Sequence, residues 1–173
     1  MMTPTKKPAT ATGQPPVQRS KIKIERTYRA SLGDVWALWT TKEGLESWWG
    51  PEGFTTEVRR LELRPGGLWE YAMTATAPQQ IEFMRRAGMP LSTVSRATYT
   101  DVLPPRRLAY ENLIDFVPGV AAYAAAVLVE FRTSADGVRM TITFDAMHDE
   151  GWTELARRGW ESQLDKLKVV LRA

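Results

Sequence analysis

The stretch EGWTELARRGWESQLDKLKVVL, residues 150–171, is the one long amphipathic segment of the chain, and it indicates the fold class. Its apolar residues recur every three or four positions, as on one face of a helix. The stripe consists of Trp152, Leu155, Ala156, Gly159, Trp160, Leu164, Leu167 and Leu171. A helix of this length must bury its apolar face, so the preceding residues have to supply the surface that covers it.

The chain before this helix reads mainly as strands. Ile22 and Ile24 alternate with charged residues in a first strand, and residues 138–147, VRMTITFDAM, show the most regular alternation of the chain. Asp136-Gly137 in front of them is a hairpin signal. Further strands are predicted near residues 58–63, where the alternation is imperfect, and at 68–76, 92–103, 107–116 and 124–131.

Short helices interrupt the strands. Ser31 can cap a helix that contains Val35 and Trp39, and a second helix, Lys42 to Trp48, must end at Gly50-Pro51. A third helix is predicted over residues 78–87, with a proline in its first turn and Gly88 after its end.

This order of elements predicts an α+β fold, with two short helices after the first strand and one long helix at the end. A single helix covers a sheet of about seven antiparallel strands only if the sheet curls around it. Such a curled sheet tends to leave a cavity between itself and the helix.

Charge and composition exclude several classes of function. The net charge is +3, but residues 1–23 hold five basic residues and no acidic one, which leaves 18 basic against 20 acidic residues in the remainder. The folded part therefore has no basic stripe for nucleic acid. With no cysteine and one histidine, a tight metal site is not expected. No apolar run is long enough for a membrane span or a secretory signal, so we expect a cytoplasmic protein.

Residues 1–20 are rich in Thr, Pro, Ala and Gln and contain almost no large apolar side chain. Such a segment cannot bury enough surface to offset the entropy of ordering. The sequence therefore predicts a disordered basic tail over residues 1–20 and a single domain over residues 21–173.

Four short motifs in order resemble a known family: DVWALWT at 34–40, WWGPEGF at 48–54, LRPGGLWEYAM at 63–73 and PPRRLAY at 104–110. They are similar to the family named after the activator of the heat-shock protein 90 ATPase, within the START-like (polyketide-cyclase-like, SRPBCC) helix-grip superfamily. The resemblance implies a seven-stranded antiparallel sheet that grips the C-terminal helix around an apolar cavity. It does not imply one function, because its members include ligand binders, cyclase-like enzymes and co-chaperone domains.

Strand parity and helix position place a set of residues at the expected cavity. These are Trp36, Trp48, Trp49, Trp69, Tyr71, Met73, Tyr99, Tyr110, Asn112, Phe144 and Trp152. Core packing is the competing interpretation for most of them. The tyrosines and Asn112 favour a cavity, because a buried hydroxyl or amide requires a hydrogen-bonding partner.

Two segments are expected at the opening of the cavity. We expect one of Trp48 and Trp49 to point inward and the other to shield the opening. The third helix carries Ile81, Phe83 and Met84, too many apolar residues for a solvated helix and too few for a core element, which predicts a mobile lid. A static helix that covers a sheet edge is the alternative.

His148 lies beside Asp149 and Glu150 and is the weak candidate for acid–base catalysis. The competing interpretation is a helix start that Asp149 caps. No motif for a nucleotide, a metal or a serine nucleophile is present, so no cofactor is expected.

The sequence thus predicts binding of a small apolar or aromatic molecule, without nucleic acid or membrane partners. A cyclase- or hydrolase-like enzyme that uses a cavity histidine or tyrosine is the alternative. A chaperone-binding module ranks last, and a homodimer is left open.

Overall fold

The computed structural model describes residues 18–172, which form a seven-stranded antiparallel sheet around a long C-terminal helix. The order of the strands in the sheet is β1-β7-β6-β5-β4-β3-β2. The α+β helix-grip fold is therefore confirmed. The elements are β1 (Lys21–Tyr28), α1 (Leu32–Thr40), α2 (Lys42–Trp48), β2 (Phe54–Leu61), β3 (Leu68–Ala75), α3 (Pro78–Arg86), β4 (Ser92–Leu103), β5 (Arg107–Ile114), β6 (Tyr123–Ser134), β7 (Gly137–Asp145) and α4 (Glu150–Arg172).

The strand β7 joins the two ends of the domain. It pairs with β1 from Lys21↔Asp145 to Tyr28↔Val138 and with β6 on its other side. Its alternate residues are buried as predicted, namely Val138, Met140, Ile142 and Phe144. The β6–β7 hairpin turns at Gly137, which has φ +132° and lies so close to Tyr28 O that a Cβ would be 2.1 Å from it. No other residue type fits this turn.

Side-chain caps fix where the helices begin. Ser31 Oγ accepts a hydrogen bond from Asp34 N at 3.1 Å, and Asp149 Oδ1 accepts one from Trp152 N at 2.8 Å. Both predicted caps are confirmed, and each satisfies a backbone N–H of the first turn. At the end of α2, Gly50 has φ +96°, which turns the chain toward β2.

A bulge explains the imperfect alternation that the sequence shows near Val58. The pairing between β2 and β3 shifts between Val58 and Arg60, so that Val58 pairs with Tyr71 and Arg60 pairs with Glu70. The extra residue, Arg59, changes the parity of the strand from that point on.

The structure moves three predicted boundaries. The predicted tail includes Arg19 and Ser20, yet Ser20 O accepts a hydrogen bond from Ala146 N at 2.7 Å, and the Arg19 guanidinium lies 3.9 Å from the centre of the Tyr123 ring. The predicted tail residues 1–17 lie outside the described residues. The strand predicted over residues 107–116 is also shorter in the structure, because β5 ends at Ile114. Phe116 lies beyond it and is 46% exposed. The helix α3 ends at Arg86, one residue earlier than predicted.

The core lies between the inner face of the sheet and three helices. Val35 and Trp39 from α1 and Leu45 and Trp48 from α2 pack in the same buried cluster as alternate residues of the strands. The last turns of α4 contribute Leu164 and Leu167 to it. The helices thereby close one side of the space that the curled sheet encloses.

Candidate functional site

The centre of the domain is occupied by an unusual concentration of aromatic rings, which we call the aromatic core. It comprises Trp39, Trp48, Trp49, Trp69, Tyr71, Tyr99, Tyr110 and Trp160, all of them buried. Trp49 is central to it, with its ring centroid 4.8 Å from that of Trp69 and 5.4 Å from that of Trp160. Most of the contacts are edge-to-face, the arrangement that aromatic quadrupoles favour.

Three helices, α1, α2 and α4, and three strands, β3, β4 and β5, bring these rings together. Trp48 and Trp49 follow each other at the end of α2, where Gly50 stops the helix. Residues Trp69 and Tyr71 share one face of β3, and Tyr110 faces Tyr99 across the β4–β5 pair. The sheet and α2 therefore converge on the point where α4 presents Trp160.

Polar atoms within the aromatic core differ in whether they are paired. Trp48 Nε1 donates to Leu38 O at 2.8 Å. In contrast, Trp69 Nε1, Tyr110 Oη and Trp39 Nε1 are buried and have no hydrogen-bonding partner among residues 18–172. Trp69 and Tyr110 are neighbours, with ring centroids 5.3 Å apart. The structure thus places an unpaired indole N–H and an unpaired hydroxyl on two rings that contact each other.

Burial also changes the ionisation of the tyrosines. It raises the pKa of Tyr71, although hydrogen bonds with the side chains of Trp49 and Ser95 partly oppose the shift. Burial likewise raises the pKa of Tyr99, and it raises that of Tyr110 well above its ordinary value. All three hydroxyls are therefore neutral at physiological pH, and the interior disfavours negative charge.

The inner face of the sheet continues beyond the aromatic core with residues that are only half-buried. Met73 lies two positions after Tyr71, Asn112 two positions after Tyr110, and Ser95 pairs with Tyr71. These side chains form the partly accessible border of the site.

The loop of residues 50–53 is fixed to α4 by three side chains. Gly50 N donates to Gln163 Oε1 at 2.8 Å, Glu52 N donates to Ser162 Oγ at 2.9 Å, and Lys166 Nζ donates to Gly50 O at 3.0 Å. Burial lowers the pKa of Lys166. The position of the loop sets that of Trp49, which directly precedes it.

The predicted lid helix α3 is attached to the other side of this loop. Thr76 N and Ala77 N both donate to Gly53 O, and Gln80 lies against Gly53 so closely that a Cβ would be 2.4 Å from Gln80 Cγ. Met84 is buried, Ile81 is half-buried, and Phe83 is 59% exposed.

A second group of rings lies where α4 begins; we call Phe116, Tyr123, His148 and Trp152 the outer cluster. The Tyr123 hydroxyl accepts from His148 N at 3.3 Å and lies 2.8 Å from His148 Nδ1. Which of Tyr123 Oη and His148 Nδ1 donates to the other depends on the tautomer of the imidazole. On the other side of the ring, His148 Nε2 lies 3.7 Å from Asp149 Oδ2.

Six of the eleven predicted cavity residues meet in the aromatic core: Trp48, Trp49, Trp69, Tyr71, Tyr99 and Tyr110. Phe144 packs on Trp160 with centroids 6.0 Å apart, and Trp36 packs on Phe131. Met73 and Asn112 lie at the border described above. Trp152 does not join them, because it contacts His148 and Phe116 in the outer cluster. Trp48 and Trp49 are both buried, so neither shields an opening.

Several residues of this region are not predicted from the sequence. Trp160 lies in the apolar stripe of α4, but the stripe alone does not assign it to the site. Gln163 is a polar residue in that same stripe, three positions after Trp160, and this break in the pattern was the available signal. Trp39 and Tyr123 gave no signal that separates them from ordinary packing.

Two concavities of the surface lie outside the aromatic core. One, of about 420 Å³, runs between α2, the 50–53 loop and the end of α4, and is lined by Ser47, Glu52, Ser162, Asp165, Lys166, Val169 and Val170. The other, of about 270 Å³, is lined by Leu68, Arg96, Thr98, Glu111, Leu113 and Ala124 of the sheet. Within residues 18–172, no helix is long and apolar enough to cross a membrane.

Solved structures of other proteins share this fold. A protein from Chromobacterium violaceum is 20% identical, with a TM-score of 0.73 over 88% of this chain and 97% of that one. A protein from Arthrobacter aurescens is 21% identical, with a TM-score of 0.70 over 94% and 92%. An AHSA1-like protein from Aeromonas hydrophila is 24% identical, with a TM-score of 0.65 over 86% and 90%.

Among proteins with curated descriptions, none matches the chain. The sequence profile described as "Activator of Hsp90 ATPase homolog 1-like protein" matches residues 29–172, which span α1 to α4 and include every residue of the aromatic core. The fold, the order of its motifs and this match agree, and the chain belongs to the Activator of Hsp90 ATPase homolog 1-like family.

Proposed function

We propose that the protein binds a small apolar or aromatic molecule between the inner face of the sheet and α4, at the aromatic core. The observation that carries this proposal is the pair of buried, unpaired polar atoms, Trp69 Nε1 and Tyr110 Oη. Nearly all buried polar groups in native proteins are paired, and leaving one unpaired costs about 1–3 kcal/mol. A bound molecule with one polar atom would remove this cost, while its apolar body would replace contacts between rings.

The half-buried border suggests where such a molecule reaches the core. Met73 has a flexible side chain that can move at little cost, and a Cβ added at Gly50 would lie 3.2 Å from its Sδ. Movement of Met73 or of the 50–53 loop would therefore uncover the edge of Tyr71 and Trp49.

We further propose that α3 acts as a lid on this route, because the residues directly before it, Thr76 and Ala77, donate to Gly53 O, and because it carries the exposed Phe83. Hydrogen exchange tests this idea. Residues 78–90 should exchange quickly in the empty protein and slowly with a bound molecule, since opening the lid costs little free energy. Equal protection of this segment at saturation would show that α3 is a static cover.

Titration with the neutral fluorophore N-phenylnaphthylamine tests the proposed function. We expect saturable binding that quenches tryptophan emission and is weakened by Tyr71→Ala and Tyr110→Ala. The matched control is Trp152→Ala, which removes a ring of the outer cluster and should leave the affinity unchanged. Circular dichroism must show that each variant is folded. Native mass spectrometry of protein purified from its own host would identify what it carries.

Absence of saturable binding for this fluorophore and for a varied library of apolar compounds would contradict the proposal. The aromatic core would then be ordinary packing, and its unpaired donors would only lower the stability of the folded protein.

A second candidate function rests on the outer cluster. The 2.8 Å contact between Tyr123 Oη and His148 Nδ1, with Asp149 near Nε2, is the geometry of an acid–base pair. If the protein is a hydrolase-like enzyme, p-nitrophenyl esters should be turned over, and both Tyr123→Phe and His148→Gln should abolish the turnover. Turnover that survives both substitutions would rule out this pair.

A further inference from the structure

We infer that the molecule bound at the aromatic core carries a neutral carbonyl group, whose oxygen accepts hydrogen bonds from Trp69 Nε1 and Tyr110 Oη. The inference rests on the function proposed above and narrows the ligand to one chemical class: ketones, aldehydes, esters, amides or quinones with an apolar remainder.

The two unpaired groups are hydrogen-bond donors, so the ligand has to supply an acceptor. An indole N–H can only donate, and a tyrosine hydroxyl brings one hydrogen to donate. The two rings are neighbours and nearly perpendicular, with an interplanar angle of 82°. A carbonyl oxygen has two lone pairs and can accept from both donors while bringing no hydrogen of its own. An alcohol would add a third donor to a place where acceptors are already lacking.

The surroundings determine the charge of the ligand. Burial raises the pKa of Tyr71, Tyr99 and Tyr110, which shows that this interior penalises an anion. A carboxylate would meet the same penalty. Lys166 is not placed to offset it, because its Nζ donates to Gly50 O at 3.0 Å and approaches Phe54 O at 3.5 Å. The site therefore favours a neutral acceptor over a charged one.

The shape of the site favours a flat ligand. Trp49 and Trp160 contact each other edge-to-face, and Trp49 meets Tyr71 in the same way. A planar aromatic ligand that packs in place of one of these rings can make the same edge-to-face contacts with the others.

Three matched probes test the inference by calorimetry: acetylnaphthalene, isopropenylnaphthalene and naphthoate, each substituted at the same ring position. They share one apolar body and differ in a ketone, a carbon–carbon double bond of similar shape, and a carboxylate. We expect the ketone to bind roughly 10- to 100-fold more tightly than the alkene, from two hydrogen bonds to unpaired donors. Naphthoate should bind more weakly than the ketone.

Variants and a spectroscopic signature locate the interaction. Tyr110→Phe should reduce the affinity for the ketone about tenfold and leave that for the alkene unchanged. Tyr123→Phe removes a hydroxyl from the outer cluster and should affect neither. The carbonyl stretch of the bound ketone should shift to lower frequency, and Tyr110→Phe should reverse part of the shift.

The outcomes separate the inference from the function on which it rests. Equal binding of the alkene and the ketone, or tighter binding of naphthoate, would overturn the carbonyl inference and leave ligand binding intact. A carbonyl frequency that Tyr110→Phe does not change would also overturn it. No binding of any of the three probes would overturn both.

Discussion

The aromatic core and the outer cluster use similar residue types in opposite ways. Both combine aromatic rings with polar atoms, and both involve α4. In the outer cluster the polar atoms are matched, since the Tyr123 hydroxyl meets both His148 N and His148 Nδ1. In the aromatic core, Trp69 Nε1 and Tyr110 Oη are more deeply buried and have no partner. Burial alone therefore does not separate the two regions, whereas the pairing of their buried polar atoms does.

The contrast is not explained by a general shortage of partners in the interior. Trp48 Nε1, which belongs to the same core, donates to Leu38 O, and Thr56 Oγ1 donates to Trp49 O. Two of the unpaired donors belong to Trp39 and Trp69, whose rings contact Trp49, and the third belongs to Tyr110, whose ring contacts Trp69. This distribution agrees with a site that an external acceptor completes.

The largest expected difference between the two regions is in packing. Trp49→Ala should lower the free energy of unfolding by about 3–5 kcal/mol, because it removes a buried ring that contacts Trp69 and Trp160. Trp152→Ala should cost about 1 kcal/mol, since Trp152 is only half-buried. Urea denaturation measures both values. Similar losses in the two variants would mean that the regions do not differ in packing.

Removal of one tyrosine hydroxyl from each region tests the difference in hydrogen bonding. Tyr123→Phe should destabilise the protein by about 1 kcal/mol, because it leaves His148 N without its partner. Tyr110→Phe should leave the stability of the empty protein unchanged or raise it by about 1 kcal/mol, because the hydroxyl that it removes is unpaired. Thermal unfolding distinguishes them. A clear loss of stability in Tyr110→Phe would show that its hydroxyl has a partner in solution.

The smallest expected effect concerns the ion pairs of Glu154, which lies in the first turns of α4, two residues after Trp152 of the outer cluster. The side-chain hydrogen bond from Arg157, together with Arg158, lowers the pKa of Glu154 to about 2. A carboxyl whose pKa is lower in the folded state than in the unfolded state stabilises the folded protein. This contribution is fully present above the unfolded-state pKa of 4.5, and it is lost as the pH falls through the folded-state pKa. The melting temperature of the wild type should therefore exceed that of Glu154→Gln slightly at pH 6, and the difference should shrink between pH 4.5 and about 2. A difference that is independent of pH would contradict the ion-pair explanation.

The sequence predicts the fold well because the fold depends on periodic patterns. Residues 138–144 alternate without interruption and form β7, and the stripe from Trp152 to Leu171 forms α4. Ser31 and Asp149 cap the helices because their side chains act within three residues. Strand parity also assigns Tyr71 and Tyr110 to the interior correctly.

The site is predicted less completely because it depends on contacts between distant residues. Nothing near Trp69 in the sequence shows that its indole N–H lacks a partner, while that of Trp48 finds Leu38 O within ten residues. The separation of Trp152 from the aromatic core depends on where the loop with Phe116 lies. Register and helix periodicity fix the face on which a residue lies, but not its neighbours on that face.

Binding of a ligand at Trp69 can be observed directly in the nuclear magnetic resonance spectrum of the indole N–H groups, recorded on protein with ¹⁵N-labelled tryptophan. On addition of acetylnaphthalene, the Trp69 signal should move downfield and its hydrogen exchange should slow, because a free donor gains an acceptor. The Trp152 signal, from the outer cluster, should stay in place. A Trp69 signal that does not change at a saturating concentration of acetylnaphthalene would show that the ligand accepts no hydrogen bond from Trp69 Nε1.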